Sequence, residues 1–263
     1  MTASSSVKLP PLTPNASLRW DVVSRLIPAQ ARTIIEVGCG QGATGARLAL
    51  RSDDYLGVEP DDQSCSVAAA RLAELGKGSA RCGTVPKDAP AGRLWDLLCS
   101  FEVIEHIADD VGALQAWLGV VRPGGWVILS TPAWANRYGP SDAMVGHFRR
   151  YDPVDLNILM EKAGLQDVQV VQYGAGLGHV LEYARNVLGA RRLRRAGQPV
   201  PHGAPVHIDA ETMAELTAGS GRLFQPPAAA ATAIGLTTRP FLALQRRFPN
   251  RGTGLVAIGR RSA

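Results

Sequence analysis

The chain has 263 residues, of which 46% are hydrophobic and 19% are charged, and its mean hydropathy is close to zero. This composition supplies one good hydrophobic core. Together with 28 Gly, 18 Pro and 6% aromatic residues, it excludes collagen, a coiled coil and wholesale disorder. No run reaches the roughly 18 apolar residues that a membrane-spanning helix needs, so the sequence predicts a globular protein with no transmembrane segment.

The net charge of +5 is unevenly distributed along the chain. From Arg185 to the end, twelve arginines face three acidic residues, which gives +9, whereas the rest of the chain carries −4. The planar guanidinium suits phosphate and carboxylate partners, but GC-rich genomes also enrich arginine. The basic region therefore has two interpretations, an anionic partner such as a membrane surface or a genomic bias.

The N-terminal segment is rich in Ser and Pro and lacks the apolar stretch of a secretory signal. We expect residues 1–17 to be flexible and the protein to be cytoplasmic, with peripheral contact at the inner membrane surface as an alternative. The cysteines include no Cys-x-x-Cys pair, which argues against a disulfide framework or a zinc ribbon. Reduced, buried thiols are therefore expected at Cys39, Cys65, Cys82 and Cys99.

Hydrophobic periodicity predicts a short helix at residues 20–27, followed by strands and helices in alternation. The predicted strands are 33–37, 55–58, 80–85, 96–101 and 126–130, and the helices between them are 43–51, 62–75 and 111–121, with a turn at 122–125. Alternation of this kind implies a parallel sheet covered by helices on both faces.

In the second half of the chain, the sequence pattern predicts fewer strands and one long connection. Asp152 and Pro153 should begin a helix that runs to about Ala163, and strands follow at residues 167–173 and 254–259. About eighty residues lie between those strands, too many for a simple loop. Helices are predicted there at 178–195 and 209–218.

A glycine-rich segment, EVGCGQG at residues 36–42, directly follows the first strand and precedes a helix. Glycines at alternate positions let backbone amides approach a ligand closely, but such a loop also fits dinucleotide sites. Glu59, at the end of the second strand, is suited to accept hydrogen bonds from a ribose diol, which both classes of site share. The loop alone therefore does not identify the cofactor.

Three segments together point to one family: Glu36 within the glycine motif, FEVIEH at residues 101–106, and residues 118–132 as a helix end, Pro-Gly-Gly turn and strand. In this combination the chain resembles class I S-adenosylmethionine-dependent methyltransferases between about Trp20 and Tyr173. The resemblance implies an α/β, Rossmann-like seven-stranded sheet whose last strand is antiparallel. We expect a core at residues 18–173, a mostly helical cap or lid insertion at 174–251, and the last strand and tail at 252–263.

The resemblance also implies a cofactor site for S-adenosylmethionine. Glu36, Gly38, Gly40 and Gly42 would lie at the methionine end, and Glu59, with Pro60 and Asp61, at the ribose and adenosine. Thr84 and Val85 would border the adenine, although the family more often has Asp at the first of these positions. Phe101 and Glu102 would border the cofactor from the fourth strand.

The acceptor side contains a second motif, Glu102-x-x-Glu105-His106, with His147 further along the chain. The set is similar to that of ubiquinone-biosynthesis O-methyltransferases and bacterial small-RNA 2′-O-methyltransferases, in which such residues hold a divalent metal. Glu102, Glu105, His106 and His147 are therefore candidate ligands for Mg, Mn or Zn. The alternative is metal-free catalysis with His106 or His147 as general base and Glu105 beside it.

Residues after the fifth strand are candidates for substrate contacts, since open α/β sheets bind ligands beyond the carboxyl ends of their strands. They are Trp134, Tyr138, Arg149 and Arg150. Solvated arginines beside a loop packed on its aromatic residues are the alternative interpretation.

The sequence thus predicts an S-adenosylmethionine-dependent methyltransferase that methylates oxygen on a small or lipid-linked metabolite, such as a sugar, phenolic or quinone-like acceptor. Two alternatives remain. One is an RNA 2′-O-methyltransferase with a Glu/Glu/His/His metal site. The other is a noncatalytic basic module that binds membranes or nucleic acid.

Overall fold

The computed structural model describes residues 9–205 and 226–262. Its strands are β1 Thr33–Val37, β2 Asp54–Glu59, β3 Ser79–Cys82, β4 Trp95–Phe101, β5 Val121–Pro132, β6 Leu165–Tyr173 and β7 Gly254–Arg261. Its helices are α1 Pro14–Leu26, α2 Ala43–Ala49, α3 Asp62–Leu75, α4 Asp110–Leu118, α5 Pro140–Val145, α6 Pro153–Lys162, α7 Leu177–Arg195 and α8 Ala231–Arg247.

The strands form one seven-stranded sheet in the order β3-β2-β1-β4-β5-β7-β6. Strands β1 to β5 pair in parallel, and β7 runs antiparallel to both β5 and β6. The predicted fold class is therefore confirmed. Because the parallel strands end at the same edge of the sheet, the loops after β1, β2 and β4 meet there.

The central strands are buried on both faces, which explains their continuous apolar runs. Neighbouring residues of β1 enter opposite cores: Ile35 packs in a cluster with Leu98, whereas Ile34 packs in another with Leu97. All four side chains are fully buried. Burial of this kind stabilises the sheet by about 1.5–3 kcal/mol for each large aliphatic side chain.

Helix α1 begins at Pro14, six residues before the predicted start at Trp20. The Thr13 hydroxyl caps the helix by accepting a hydrogen bond from the backbone N–H of Ala16 at 3.2 Å, and Pro14 occupies the first turn. Leu12 is buried. Helix α1 and the buried Leu12 therefore extend into residues 1–17, which were expected to be a flexible segment.

Two other predictions are wrong. Strand β5 begins at Val121, so Pro123, Gly124 and Gly125, predicted as a turn between helix and strand, lie within it. The pairing register of β4 and β5 shifts at this point, and the irregularity accommodates these residues. Cys65 and Cys82, expected as reduced thiols, form a disulfide with Cα atoms 5.6 Å apart, because α3 packs against β3.

The long connection before β7 contains α7 and α8 in its described part, and the predicted helix at 209–218 lies outside the described residues. Helix α7 lies close against α5, since a Cβ on Gly189 would come within 2.9 Å of the backbone of Pro140. Helix α8 packs instead on α1, where the Gln245 side-chain amide donates to the Leu18 carbonyl at 3.1 Å. Among the described helices, none is long and apolar enough to span a bilayer.

Candidate active site

The glycine loop after β1 has a conformation that requires glycine. Gly38, Gly40 and Gly42 all have positive φ, at 69°, 54° and 76°. A Cβ on Gly38 would lie 2.5 Å from Val103 Cγ2, and one on Gly42 would lie 3.1 Å from α3. The loop is held from β2, because the Gly40 N–H donates to Glu59 Oε2 at 2.8 Å. Backbone rather than side chain therefore faces the space beyond β1.

That space is a cavity of about 690 Å³ at the carboxyl ends of β1, β2 and β4, which we call the cofactor cavity. Eight of the predicted cofactor residues line it: Gly38, Gly40, Glu59, Pro60, Asp61, Thr84, Val85 and Glu102. Residues that sequence reasoning did not assign to it include Ser64, Val103, His106, Ile107, Ala113 and Trp117. The last two lie on α4, and no local motif marks them. Gly42 does not line this cavity and packs on α3 instead.

Glu36 and Phe101 line a smaller cavity of about 240 Å³ on the other side of the glycine loop. Glu36 is buried and accepts a hydrogen bond of 2.5 Å from the Tyr55 hydroxyl. Burial raises the pKa of Glu36 to about 8, so the carboxyl is largely protonated at neutral pH in the absence of a ligand. Arg19 from α1 lies over the ring of Phe101, 5.3 Å from its centroid.

Glu102 lies where these cavities meet, and it also borders a third. Its backbone has φ of 57°, which is unusual for a residue other than glycine. Its Oε1 atom accepts hydrogen bonds from Ser130 Oγ at 2.9 Å and the Tyr173 hydroxyl at 3.0 Å. Arg19 Nη1 approaches the same oxygen at 3.4 Å. This carboxylate is thus fixed by three partners.

The third cavity, which we call the acceptor cavity, has a volume of about 240 Å³ and lies between the end of β5, α5 and α7. Of the predicted substrate and catalytic residues, His147 and Arg150 line it. The other lining residues are Asn15, Glu102, Pro132, Ser141, Asp142, Met144, Val145, Tyr173, Glu182, Arg185, Leu188, Gly189, Arg192 and Thr253.

Trp134, Tyr138 and Arg149, predicted to contact substrate, line none of the three cavities. The Trp134 indole donates to the Gly252 carbonyl at 2.9 Å, and the Tyr138 hydroxyl donates to the His147 carbonyl at 2.8 Å. Arg149 is paired with Asp110 at the start of α4 at 2.5 Å. These three residues support neighbouring loops instead.

Asp142 positions His147. His147 Nδ1 lies 2.8 Å from Asp142 Oδ1, while His147 Nε2 is 3.8 Å from Glu105 Oε1. Asp142 also pairs with Arg150, and although burial opposes it, these two partners lower the pKa of Asp142 to about 2. A permanently ionised aspartate on Nδ1 favours the tautomer that leaves Nε2 free to accept a proton.

Sequence reasoning missed Asp142 and Glu182, the two carboxylates that surround Arg150. Arg150 is 6% exposed and bonds to Asp142 at 2.9 Å and Glu182 at 2.5 Å. The only local signal for Asp142 is its position as the N3 residue of α5, where it accepts from the Gly139 N–H. Glu182 comes from α7, and nothing in the sequence joins it to Arg150.

Glu105, His106 and His147 form a compact group in which one ligand atom from each lies within 4.8 Å of the others. Glu105 is fully buried, and neither carboxyl oxygen has a well-formed hydrogen bond to any described residue. Burial, reinforced by Glu102, raises the pKa of Glu105 well above its ordinary value. Burial, reinforced by His147, lowers the pKa of His106 to about 4, so this imidazole is neutral at pH 7. Glu102, the fourth predicted ligand, is not part of this group.

Known proteins resemble this chain in both sequence and structure. A family model described as a methyltransferase domain matches residues 16–170. The ubiquinone biosynthesis O-methyltransferase of Paracidovorax citrulli is 31% identical over 117 residues, which cover 43% of this chain and 49% of that relative. The chain spans about half the length of the curated relatives it matches.

Solved structures share the fold at low identity. The [4+2]-cyclase SpnF superposes with a TM-score of 0.55 at 14% identity, covering 94% of this chain and 82% of that one. An S-adenosylmethionine-dependent methyltransferase from Thermotoga maritima, described as a possible histamine N-methyltransferase, gives 0.52 at 17% identity, covering 94% and 95%. The family match spans more than half of the chain and includes the glycine loop and the segment after β4. The chain therefore belongs to the S-adenosylmethionine-dependent methyltransferase family, as those motifs predicted.

Proposed function

We propose that this protein transfers a methyl group from S-adenosylmethionine to a hydroxyl oxygen of a small or lipid-linked acceptor. One observation carries the proposal. The cofactor cavity and the acceptor cavity share Glu102, and His147, oriented by Asp142, faces the acceptor cavity beside that shared wall. A donor and an acceptor bound in adjoining cavities are held close together, and methyl transfer depends on such positioning of the two reacting groups.

In the proposed reaction, bound S-adenosylmethionine supplies an electrophilic methyl group on sulfur. The glycine loop would hold the cofactor through its backbone amides, and Glu59, which also lines the cofactor cavity, would accept hydrogen bonds from the ribose. His147 Nε2 accepts the proton of the acceptor hydroxyl as the oxygen–methyl bond forms and the sulfur–methyl bond breaks. Asp142 keeps His147 in the tautomer that can do so and stabilises the imidazolium that results.

A divalent metal fits the same group of residues. Glu105, His106 and His147 offer one oxygen and two nitrogen ligands, and the unpartnered Glu105 oxygens need a cation or a proton for compensation. A bound cation would polarise the acceptor hydroxyl and lower its pKa. In that arrangement His147 is a ligand rather than the base, so metal dependence of the rate separates the two versions of the proposal.

The location and partners belong to the same proposal. We infer a cytoplasmic enzyme in which α7, within the insertion before the last strand, covers the acceptor, and contact with an anionic membrane at the basic end of α7 is a further part of this proposal. Support comes from α7, which lines the acceptor cavity and exposes Val180, Tyr183 and Leu188 beside its arginines.

The test begins with calorimetric titration of S-adenosylhomocysteine and S-adenosylmethionine. Methyl incorporation is then measured into a panel of phenols, vicinal diphenols, sugars and RNA, with EDTA or with added Mg, Mn or Zn. Micromolar cofactor binding and methylated phenol or sugar oxygen are the expected results. Methylation of RNA alone would select the nucleic-acid alternative, and no cofactor binding would overturn the proposal.

A further inference from the structure

The carboxylates of the acceptor cavity are already neutralised by cations on the protein. Glu102, Asp142 and Glu182 are the acidic side chains that line it. Each has a guanidinium partner: Glu102 has Arg19 at 3.4 Å, Asp142 has Arg150 at 2.8 Å, and Glu182 has both Arg150 at 2.5 Å and Arg137. The three carboxylates and their guanidinium partners therefore present little net charge to a ligand in the acceptor cavity.

Two further arginines of α7, Arg185 and Arg192, line the same cavity. They are seven residues apart, which places them on one face of the helix about 10 Å apart along its axis. Neither guanidinium group forms an ion pair or a side-chain hydrogen bond with any residue in the described ranges 9–205 and 226–262. The acceptor cavity therefore carries an excess positive charge at its α7 wall.

Apolar residues lie beside these arginines. Leu188 and Gly189 lie between the two arginines, and Met144 and Val145 face them from α5. Close packing of α7 on α5 at Gly189 fixes the position of the arginines relative to the loop that carries His147. Cations, an apolar surface and the base are thus arranged within one cavity.

From this arrangement we propose that the methyl acceptor carries an anionic group, a carboxylate or a phosphate, which Arg185 and Arg192 bind while its hydroxyl lies at His147. The guanidinium fork suits both oxyanions, and charge-assisted hydrogen bonds of this kind discriminate strongly against a neutral analogue. The inference rests on the proposed function and adds the substrate class to it.

The experiment compares anionic probes with related neutral compounds by calorimetry. The carboxylate arm uses 3,4-dihydroxybenzoate against its methyl ester, and the phosphate arm uses phenyl phosphate against phenol. Each is titrated into the full chain with and without saturating S-adenosylhomocysteine. The anionic member of at least one pair should bind about tenfold or more tightly, as expected for a hydrogen bond to a charged group.

Variants assign the effect to the two side chains. Arg185→Gln and Arg192→Gln should each remove most of the preference for the anionic probe and leave binding of the neutral probe and of S-adenosylhomocysteine unchanged. Arg194→Gln is the matched control, because Arg194 has the same charge on the same helix but does not line the cavity. Both target side chains lie on an exposed part of α7, and thermal melting checks that the variants fold.

Several outcomes would overturn the inference. They are equal binding of anionic and neutral probes in both arms, or a loss in Arg194→Gln as large as in Arg192→Gln, which would indicate general electrostatic attraction. The two proposals fail separately. A chain that binds no S-adenosylhomocysteine contradicts the methyltransferase activity, whereas one that binds it without preferring the anionic probes contradicts only the substrate class.

Discussion

The cofactor cavity and the acceptor cavity are built in different ways. The first is lined by residues between Val37 and Trp117, and its glycine loop presents backbone to the ligand space. The second brings together residues from Asn15 to Thr253 and has a buried ion-pair network around Arg150. A ligand that is the same throughout a family can be bound by a local backbone motif, whereas an acceptor that varies requires side chains from many elements.

The difference is sharpest in the effect of removing one charge. Arg150→Met should lower the free energy of unfolding by about 3–5 kcal/mol, because it leaves Asp142 and Glu182 buried without their shared cation. Arg149→Met is the matched control, since its partly exposed pair with Asp110 should contribute no more than about 1 kcal/mol. Urea unfolding monitored by circular dichroism measures both. Equal losses would mean that the acceptor region does not depend on its buried charges.

Catalysis should depend on the acceptor side more than on the cofactor side. His147→Gln is expected to lower kcat by about 10²–10³-fold with the KM for the cofactor unchanged, because it removes the proposed base. Asp142→Asn should have a smaller effect on kcat, since Nε2 remains but the tautomer is no longer fixed. His202→Gln, an exposed histidine outside all three cavities, serves as the control. A rate for His147→Gln like that of His202→Gln would exclude His147 as base and as metal ligand.

In the cofactor cavity, cofactor affinity should depend on the backbone conformation of the glycine loop. Gly38→Ala places a Cβ against Val103 at a positive φ, and we expect the Kd for S-adenosylhomocysteine to rise about tenfold. Gly92→Ala tests the φ effect alone, because Gly92 has φ of 71°, has no atom near its Cβ position and lies outside the cavities. It should cost about 1 kcal/mol of stability and leave cofactor affinity intact. Calorimetric titration of S-adenosylhomocysteine measures the Kd of both variants and so distinguishes the clash at Gly38 from the effect of φ alone.

The smallest expected effect is proton release on cofactor binding. Glu36 has a pKa of about 8 in the folded chain against 4.5 in the unfolded one, so its protonated form stabilises the protein fully below pH 4.5. That contribution is lost as the pH rises from 4.5 to 8. An ammonium group placed beside Glu36 lowers its pKa, so binding at pH 7 should release less than one proton, and Glu36→Gln should release none. Calorimetry in buffers of different ionisation enthalpy measures the release, and identical values for wild type and variant would exclude Glu36 as its source.

Local sequence signals predicted the secondary-structure elements around the cofactor cavity. A buried apolar run that ends in glycines predicted the limits of β1, and a helical pattern followed by Gly76 as C-cap predicted those of α3. Helix α8 was missed because Gly235 and Pro240 are poor helix formers, and its stability comes from packing on α1. Helix α5 is only six residues long, which is too short for periodicity to reveal it. The ion-pair network around Arg150 joins it to Asp142, 8 positions away, and to Glu182, 32 positions away. The contact with Glu182 forms only in the folded chain, so no local sequence pattern reveals it.

Glu102 forms part of the wall of all three cavities, and this position has a thermodynamic consequence. Ser130, Tyr173 and Arg19 all converge on one of its oxygens, so a ligand on one side that shifts the carboxylate also changes what a ligand on the other side meets. Linkage then requires reciprocity: whatever factor the acceptor adds to cofactor affinity, the cofactor adds to acceptor affinity. We expect dissociation of the two products to be coupled, since dissociation of either product lowers the affinity of the protein for the other.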